Sequence, residues 1–458
     1  MATAQMSERP EATPYPRTAY GWYVVVILTL AYTVSFIDRQ IMALMVEPIR
    51  RDLGITDTQM SLLLGLAFAI FYTLLGLPIA RLADRYSRRM IITTGITIWC
   101  LMTAACGLAR GYGQLFLARV GVGVGEAALS PSALSMISDY FPQETRGRAV
   151  AFYTMGIAMG VGLAMLVGGQ IIAIIFDAPP VVVPVFGELY AWQTVFLVVG
   201  LPGLLMAALM YTVKEPVRQE RMRLSSEGSV ADQIPLAEAV RFFASRWRMY
   251  GTHFLGMSVV GIMSYGFYAW IPTMFIRTWG WSIRDIGTAY GIVTLATGPV
   301  AVVMASWLAE TFMKKGYQDA HMRAALCGAL VGIVGSIMTP LMPTPAWSVV
   351  MLIPASAGLM CTTACGISAL MIVTPNQMRA QASALYFFVI NLLGLTIGPT
   401  GVALFTDYVF KDDAMLRYSV ACVAVLAGIF AIGFLIYNMR YYKQMYIESQ
   451  AWSTAAST

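Results

Sequence analysis

Four ionisable residues sit where charge is hardest to keep. Asp38 and Arg39 interrupt the apolar stretch SFIDRQIMAL, and Arg119 and Glu126 interrupt LARVGVGVGEAALSP. A charge deep in hydrocarbon is costly and usually serves an ion, a proton or a charged substrate. Arg119 and Glu126 lie about two helical turns apart, so a helix puts both on one face. At a helical rise of about 1.5 Å per residue, Asp38 and Arg119 fall within about one turn of the same depth. If the first and fourth apolar segments face each other, two acids and two bases form one buried cluster of zero formal charge. A buried carboxylate deprived of its cation takes up a proton near neutral pH, because desolvation disfavours the charged form. Moving Arg119 between Asp38 and Glu126, or toward an anionic substrate, would then exchange a proton for a substrate. That chemistry makes Asp38, Glu126 and Arg119 the expected proton-coupling residues.

The elements that hold such a cluster must span a membrane. Of the 458 residues, 58% are hydrophobic and 12% charged, against about a quarter charged in a soluble domain. This excludes a conventional cytosolic enzyme, a disordered chain, a coiled coil and a small disulfide scaffold. Apolar runs fall at about 22–46, 59–80, 90–108, 113–137, 148–176 and 191–213. A second set falls at about 250–276, 285–309, 322–342, 347–371, 382–406 and 417–440. Most reach the ~20 residues a helix needs to cross a bilayer, and none alternates as a barrel strand would. The expected fold is therefore an all-α membrane protein of twelve transmembrane helices. Its divisions are a tail at 1–20, a six-helix bundle at 21–213, a linker at 214–249, a second bundle at 250–440 and a tail at 441–458.

Alternate loops carry Lys and Arg in a ratio of roughly three to one, which places both termini in the cytoplasm. No signal peptide is indicated, in keeping with a bacterial inner membrane. The six cysteines lie in apolar stretches and imply no redox compartment. With two histidines, His253 and His321, and no HExxH or CxxC pattern, neither a metal nor a cofactor is expected. The GVGEAA run in the fourth segment resembles a dinucleotide fingerprint but lacks the strand that fingerprint needs; its glycines read as helix packing. No GxxxxGK[ST] occurs, so ATP-driven pumping is unsupported, and no nucleic-acid partner is indicated.

An internal repeat relates the halves. Gly54 maps to Gly280 and Gly65 to Gly291, and LADRYSRR (82–89) lands on LAETFMKK (308–315). Further on, Pro142, Arg146, Ala149 and Tyr153 match Pro375, Arg379, Ala382 and Tyr386. A duplicated six-span unit is the architecture of a rocking transporter with its substrate between the halves. In the linker, PLAEAVRFFASRW spaces Leu236, Val240, Phe243 and Trp247 as one face of an amphipathic helix on the inner membrane surface. Asp84, Arg85 and Arg88, with Asp139, Arg146 and Arg148 on the next inner loop, read as a cytoplasmic gate latching the halves. Positive-inside topology accounts for the bases but not for Asp84.

Twelve spans in two pseudo-symmetric halves, with the loop LADRYSRR, resemble the major facilitator superfamily over about residues 20–440. Ala80 and Ser87 stand where that loop commonly has Gly. FIDR in span 1 and RVGVGVGEA in span 4 further resemble the spinster lipid transporters. That resemblance implies proton sensing by Asp38 and Glu126, a switching role for Arg119, and Arg39 facing the head group of a lysophospholipid or sphingoid phosphate. Organic-anion symporters of the superfamily carry similar short motifs. In the second half, Tyr265, Tyr268 and Asn391 offer an aromatic and polar wall opposite the charged one, and together with Arg39, Arg119 and Glu126 they form the expected substrate site. The expected function is proton-coupled transport of amphiphilic lipids by a monomer using alternating access. Small organic anions are the alternative substrate; a passive scramblase or a membrane-embedded enzyme is disfavoured.

Overall fold

The computed structural model describes residues 15–184, 187–217, 236–375 and 378–455. Twelve helices are long and apolar enough to cross a membrane, numbered here as spans 1 to 12. The first six are Thr18–Leu44, Asp57–Gly76, Arg88–Cys106, Tyr112–Tyr140, Thr145–Asp177 and Ala191–Tyr211. The second six are Trp247–Trp279, Ile283–Lys314, Ala320–Leu341, Pro345–Val373, Gln381–Phe410 and Asp413–Gln450. At about 1.5 Å per residue, each is long enough to cover most or all of the ~30 Å hydrocarbon layer. The one sheet among the described residues is a short hairpin between spans 5 and 6, pairing Val182–Val183 with Gly187–Glu188.

The repeat seen in the sequence is a repeat of helix punctuation. Gly54 and Gly280 both end a helix in the left-handed conformation, at φ 61° and 67°, which glycine adopts without steric cost. Two residues further on, Thr56 and Ser282 cap spans 2 and 8 by accepting from the Gln59 and Asp285 amides. The pair Gly65 and Gly291 marks the two seams between the bundles. A Cβ on Gly65 would lie 1.9 Å from the Leu395 carbonyl oxygen of span 11, and one on Gly291 would lie 2.6 Å from the Leu166 nitrogen of span 5. Spans 2 and 11, and spans 5 and 8, therefore meet backbone to backbone.

One hydrophobic core runs across both bundles, joining Ile41 to Ile49 and Met60 of the first with Trp270, Met274, Tyr290 and Leu416 of the second. Two further cores each lie mainly in one bundle and fill the end nearer the termini. The molecule is thus closed on the face away from the termini. Ser61 Oγ donates to Thr400 Oγ1 across that closure at 3.3 Å, and Thr58 donates through its amide and hydroxyl to Asp407 Oδ2 at 2.7 and 2.6 Å.

Part of the linker reading lies outside the described residues, at 218–235. A helix does run Leu236–Ser245, and Phe243 packs edge-on to Tyr250 of span 7 at 4.9 Å. Trp247, expected on the same apolar face, begins span 7 instead and is 59% exposed. Arg246 turns the corner between the two helices, lying over the Phe242 ring at 4.2 Å and pairing with Glu448 of span 12.

Candidate substrate and proton site

Span 4 is the element that places the buried acid. Pro131 has no amide proton to give the Ala127 carbonyl, and its ring crowds that carbonyl. The helix accordingly breaks between Glu126 and Leu129, leaving Glu126 at its last turn. Just before the break, Gly123 and Gly125 lie against the Phe68 carbonyl of span 2 and the Trp99 nitrogen of span 3, where a Cβ would come within 2.5 and 2.6 Å. The glycine run is close packing, as its position in a continuous span implies.

Spans 1 and 4 do face each other. Arg39 Nη2 donates to Glu126 Oε2 at 2.6 Å, and Ser35 Oγ donates to the same oxygen at 2.7 Å. Ser35 and Arg39 are one helical turn apart, so a single face of span 1 grips the carboxylate. Around the guanidinium, the rings of Phe68, Phe36 and Tyr72 lie at 4.2, 4.6 and 4.9 Å, a cation–π cage that compensates a desolvated cation. Asp38 is turned about 100° from Arg39 on the helix and faces span 3, where Thr103 donates to its Oδ2 at 3.5 Å. Its Oδ1 is buried without a hydrogen-bond partner.

The expected role of Arg119 needs correction for this conformation. Its Nε donates at 3.5 Å to the Leu63 carbonyl of span 2, and both its terminal nitrogens are buried without a partner. The cation on Glu126 is Arg39, because the span 1 face carrying Ser35 points at the acid while Arg119 reaches sideways to span 2. Asp38 holds no ion pair among the described residues. The four charges share one buried region, but they form one pair and two separate groups.

Arg39 also borders the space between the bundles. A narrow void is lined by Arg39, Gln40 and Leu64 of the first bundle and by Tyr265, Tyr268 and Leu395 of the second. Asn391 stands behind this wall and accepts a hydrogen bond from the Tyr265 hydroxyl at 2.9 Å. Of the expected substrate residues, Arg39, Tyr265 and Tyr268 meet at the void. Asn391 and Glu126 act one layer back, and Arg119 does not reach it. Ser35, Gln40 and the aromatic cage were missed; only their helical spacing from Arg39 could have pointed to them.

Among the six residues read as a gate, Arg88 and Arg146 are seen to meet groups of their own bundle. Arg88 pairs with Asp139 and, at 2.8 Å, with Glu215, which lies just past span 6. Arg146 donates to the Ser138 carbonyl at 3.1 Å, Arg85 and Arg148 are exposed, and the Asp84 side chain lies outside the description. Glu215, missed in the sequence, is the hub. It accepts from the Ser87 hydroxyl and from the Arg89 amide at the start of span 3, each at 2.8 Å. Burial alone would raise its carboxyl, but the Arg89 amide, Arg88 and Ser87 outweigh that and hold it below the usual range.

Glu215 thus stabilises the fold above the pH at which an unfolded glutamate titrates, and that stability is lost as pH falls through its lower folded value. We expect Glu215→Gln to lower stability at neutral pH by about 1–3 kcal/mol. The difference from wild type should shrink on acidification in thermal melts of detergent-solubilised protein; a constant difference would rule this account out.

On the opposite face, ion pairs cross between the bundles. Arg277, at the end of span 7, grips both oxygens of the buried Asp57 at 2.7 and 2.8 Å and Glu47 at 2.6 Å. Arg50 returns the contact, meeting Asp57 at 2.9 Å and Asp413 of the second bundle at 3.0 Å. None of these residues stood out in the sequence, where charges at span ends look like ordinary loop residues.

Comparison with known proteins places this architecture. Residues 28–399 match the family profile described as Major Facilitator Superfamily. The chain is 26% identical over 445 residues to an MFS-type efflux pump of Mycolicibacterium smegmatis, covering 95% of this chain and 96% of that protein. It is 25% identical over 437 residues to a D-galactonate transporter of Escherichia coli, covering 90% and 95%. Among solved structures, a bacterial homologue of the human lysosomal transporter spinster, inward-facing and unoccupied, superposes with a TM-score of 0.76 at 24% identity over 95% of this chain and 99% of that one. The chain belongs to the major facilitator superfamily and is an integral membrane transporter.

Proposed function

We propose that the protein is a proton-coupled secondary transporter of amphiphilic lipids of the lysophospholipid or sphingoid-phosphate type. It works as a monomer by alternating access in a bacterial inner membrane. With both termini in the cytoplasm, the closed face is periplasmic and the conformation described is inward-facing. The bundles at 21–213 and 250–440 rock as units, joined by the linker at 214–249, with the tails at 1–20 and 441–458 outside the bilayer.

The observation that carries this reading is the double position of Arg39, at the void and on Glu126. An anionic head group entering the void competes with Glu126 for one guanidinium. Once released, the carboxylate is buried without a cation and takes up a proton. Substrate and proton binding then favour each other, and by linkage the coupling is reciprocal. In this conformation Asp38 has no cation of its own and one oxygen buried without a hydrogen-bond partner, and it serves as the second acid of the coupling. Leu64, Leu395 and the tyrosine rings suit an acyl chain beside the charged head.

A second reading, transport of small sugar-acid anions, is favoured by the D-galactonate relative and by Gln40 and the Tyr265–Asn391 pair as hydroxyl partners. Competition binding decides between them. Under the lipid reading, a lysophospholipid binds more tightly at about pH 5.5 than at about pH 7.5, and millimolar galactonate does not displace it. Full displacement by galactonate, with no lysolipid uptake into proteoliposomes, would establish the sugar-acid reading instead.

A further inference from the structure

Outside that site, the second bundle holds a compact group of thiols. Cys361 and Cys365 stand one turn apart on span 10, 2% and 1% exposed, and both carry free thiols. Cys361 Sγ faces span 9, 3.1 Å from where a Cβ on Gly328 would lie. Cys327, the residue before that glycine, also carries a free thiol. On the other side, Cys365 Sγ lies 3.7 Å from the Ala305 carbonyl of span 8.

Alanines 301, 305 and 309 of span 8 and 324 and 325 of span 9 build this region with little side-chain volume. They leave a cavity of about 260 Å³ whose wall includes Cys365, Ser306, Glu310, His321 and Ser368. The cavity gives a path to Cys365, and Cys361 lies directly behind it. The transport reading uses neither thiol.

We propose that Cys361 and Cys365 form a dithiol site for thiophilic soft metals and metalloids, entered through the cavity between spans 8, 9 and 10. Paired sulfur donors select soft Lewis acids over magnesium or calcium, which require oxygen ligands. With an organoarsenic(III) oxide the reaction balances without oxidation. Two arsenic–sulfur bonds replace the arsenic–oxygen double bond, the oxygen leaves as water with the two thiol protons, and arsenic stays trivalent. Their places one turn apart on a single helix keep the two sulfurs within reach of one bridging atom after side-chain rotation. Glu310 and His321 at the cavity wall offer hydrogen-bond partners to the entering oxide.

The test is titration of the full-length protein in detergent with phenylarsine oxide, followed by intact-mass and peptide-mass analysis. One adduct per chain is expected, resistant to a monothiol wash, removed by a dimercaptan, and mapping in wild type to the peptide that carries both cysteines. Cys361→Ala and Cys365→Ala should each abolish it, while Cys327→Ala and Cys422→Ala retain it. Cys361→Ser and Cys365→Ser serve as second variants should an alanine form fail to fold. Absence of a monothiol-resistant adduct, or an adduct mapping to Cys327 or to other cysteines, overturns the proposal.

Discussion

Replacing Arg39 by methionine should cost the folded protein about 3–5 kcal/mol, because Glu126 would be left buried without its cation and must be neutralised or carry an uncompensated charge. Adding Glu126→Gln to that variant should recover most of the loss, since the uncompensated charge is gone. Transport should not recover. The double variant is expected to melt close to wild type in detergent yet to lose roughly two orders of magnitude in gradient-driven uptake by proteoliposomes. A merely structural ion pair would give the opposite pattern, with activity returning alongside stability. Uptake within about twofold of wild type in the double variant would end the coupling proposal. Asp38→Asn complements this experiment. The side chain contributes only a 3.5 Å contact with Thr103, so folding should survive while the pH dependence of uptake disappears.

A second large effect is expected at the opposite face. Arg277→Ala removes both contacts to the buried Asp57 and the contact to Glu47. These contacts exist only while the bundles are closed on that side, so their loss falls on one conformation rather than on the fold as a whole. A loss of about 3 kcal/mol shifts the balance between the two conformations by roughly a hundredfold. Ser61, buried at the seam beside Thr400, reports the change. In a background lacking native cysteines, Ser61→Cys should be shielded from a membrane-impermeant thiol reagent. It should become reactive when Arg277→Ala is added, whereas unchanged protection would mean that the pairs do not hold the face closed.

Most of the fold could be read from the sequence because hydrocarbon imposes a single strong constraint on length and polarity. Twelve apolar runs became twelve spans, and Gly54 and Gly280, matched between the halves, end equivalent helices. The buried charges were legible for the same reason, being conspicuous against apolar neighbours. What could not be read was which cation meets which acid. Asp38 and Arg39 are adjacent in sequence but point to different spans, and the Pro131 break fixes where Glu126 lies. The latch at Arg277, Asp57 and Arg50 was invisible because Arg277 is over 200 residues from the other two and all three sit near span ends, where charge is ordinary. Glu215 escaped notice likewise, lying in a short polar segment with no pattern of its own.

The backbone contact at Gly65 has a mechanical consequence. With the Leu395 carbonyl already where a methyl group would sit, spans 2 and 11 have no remaining travel toward one another. Tightening of the latch cannot draw the two bundles nearer, so the closed face rests against a hard stop. At this seam span 2 can move relative to span 11 by separating or pivoting but not by approaching, so under the proposed alternating access the glycine contact serves as a fulcrum.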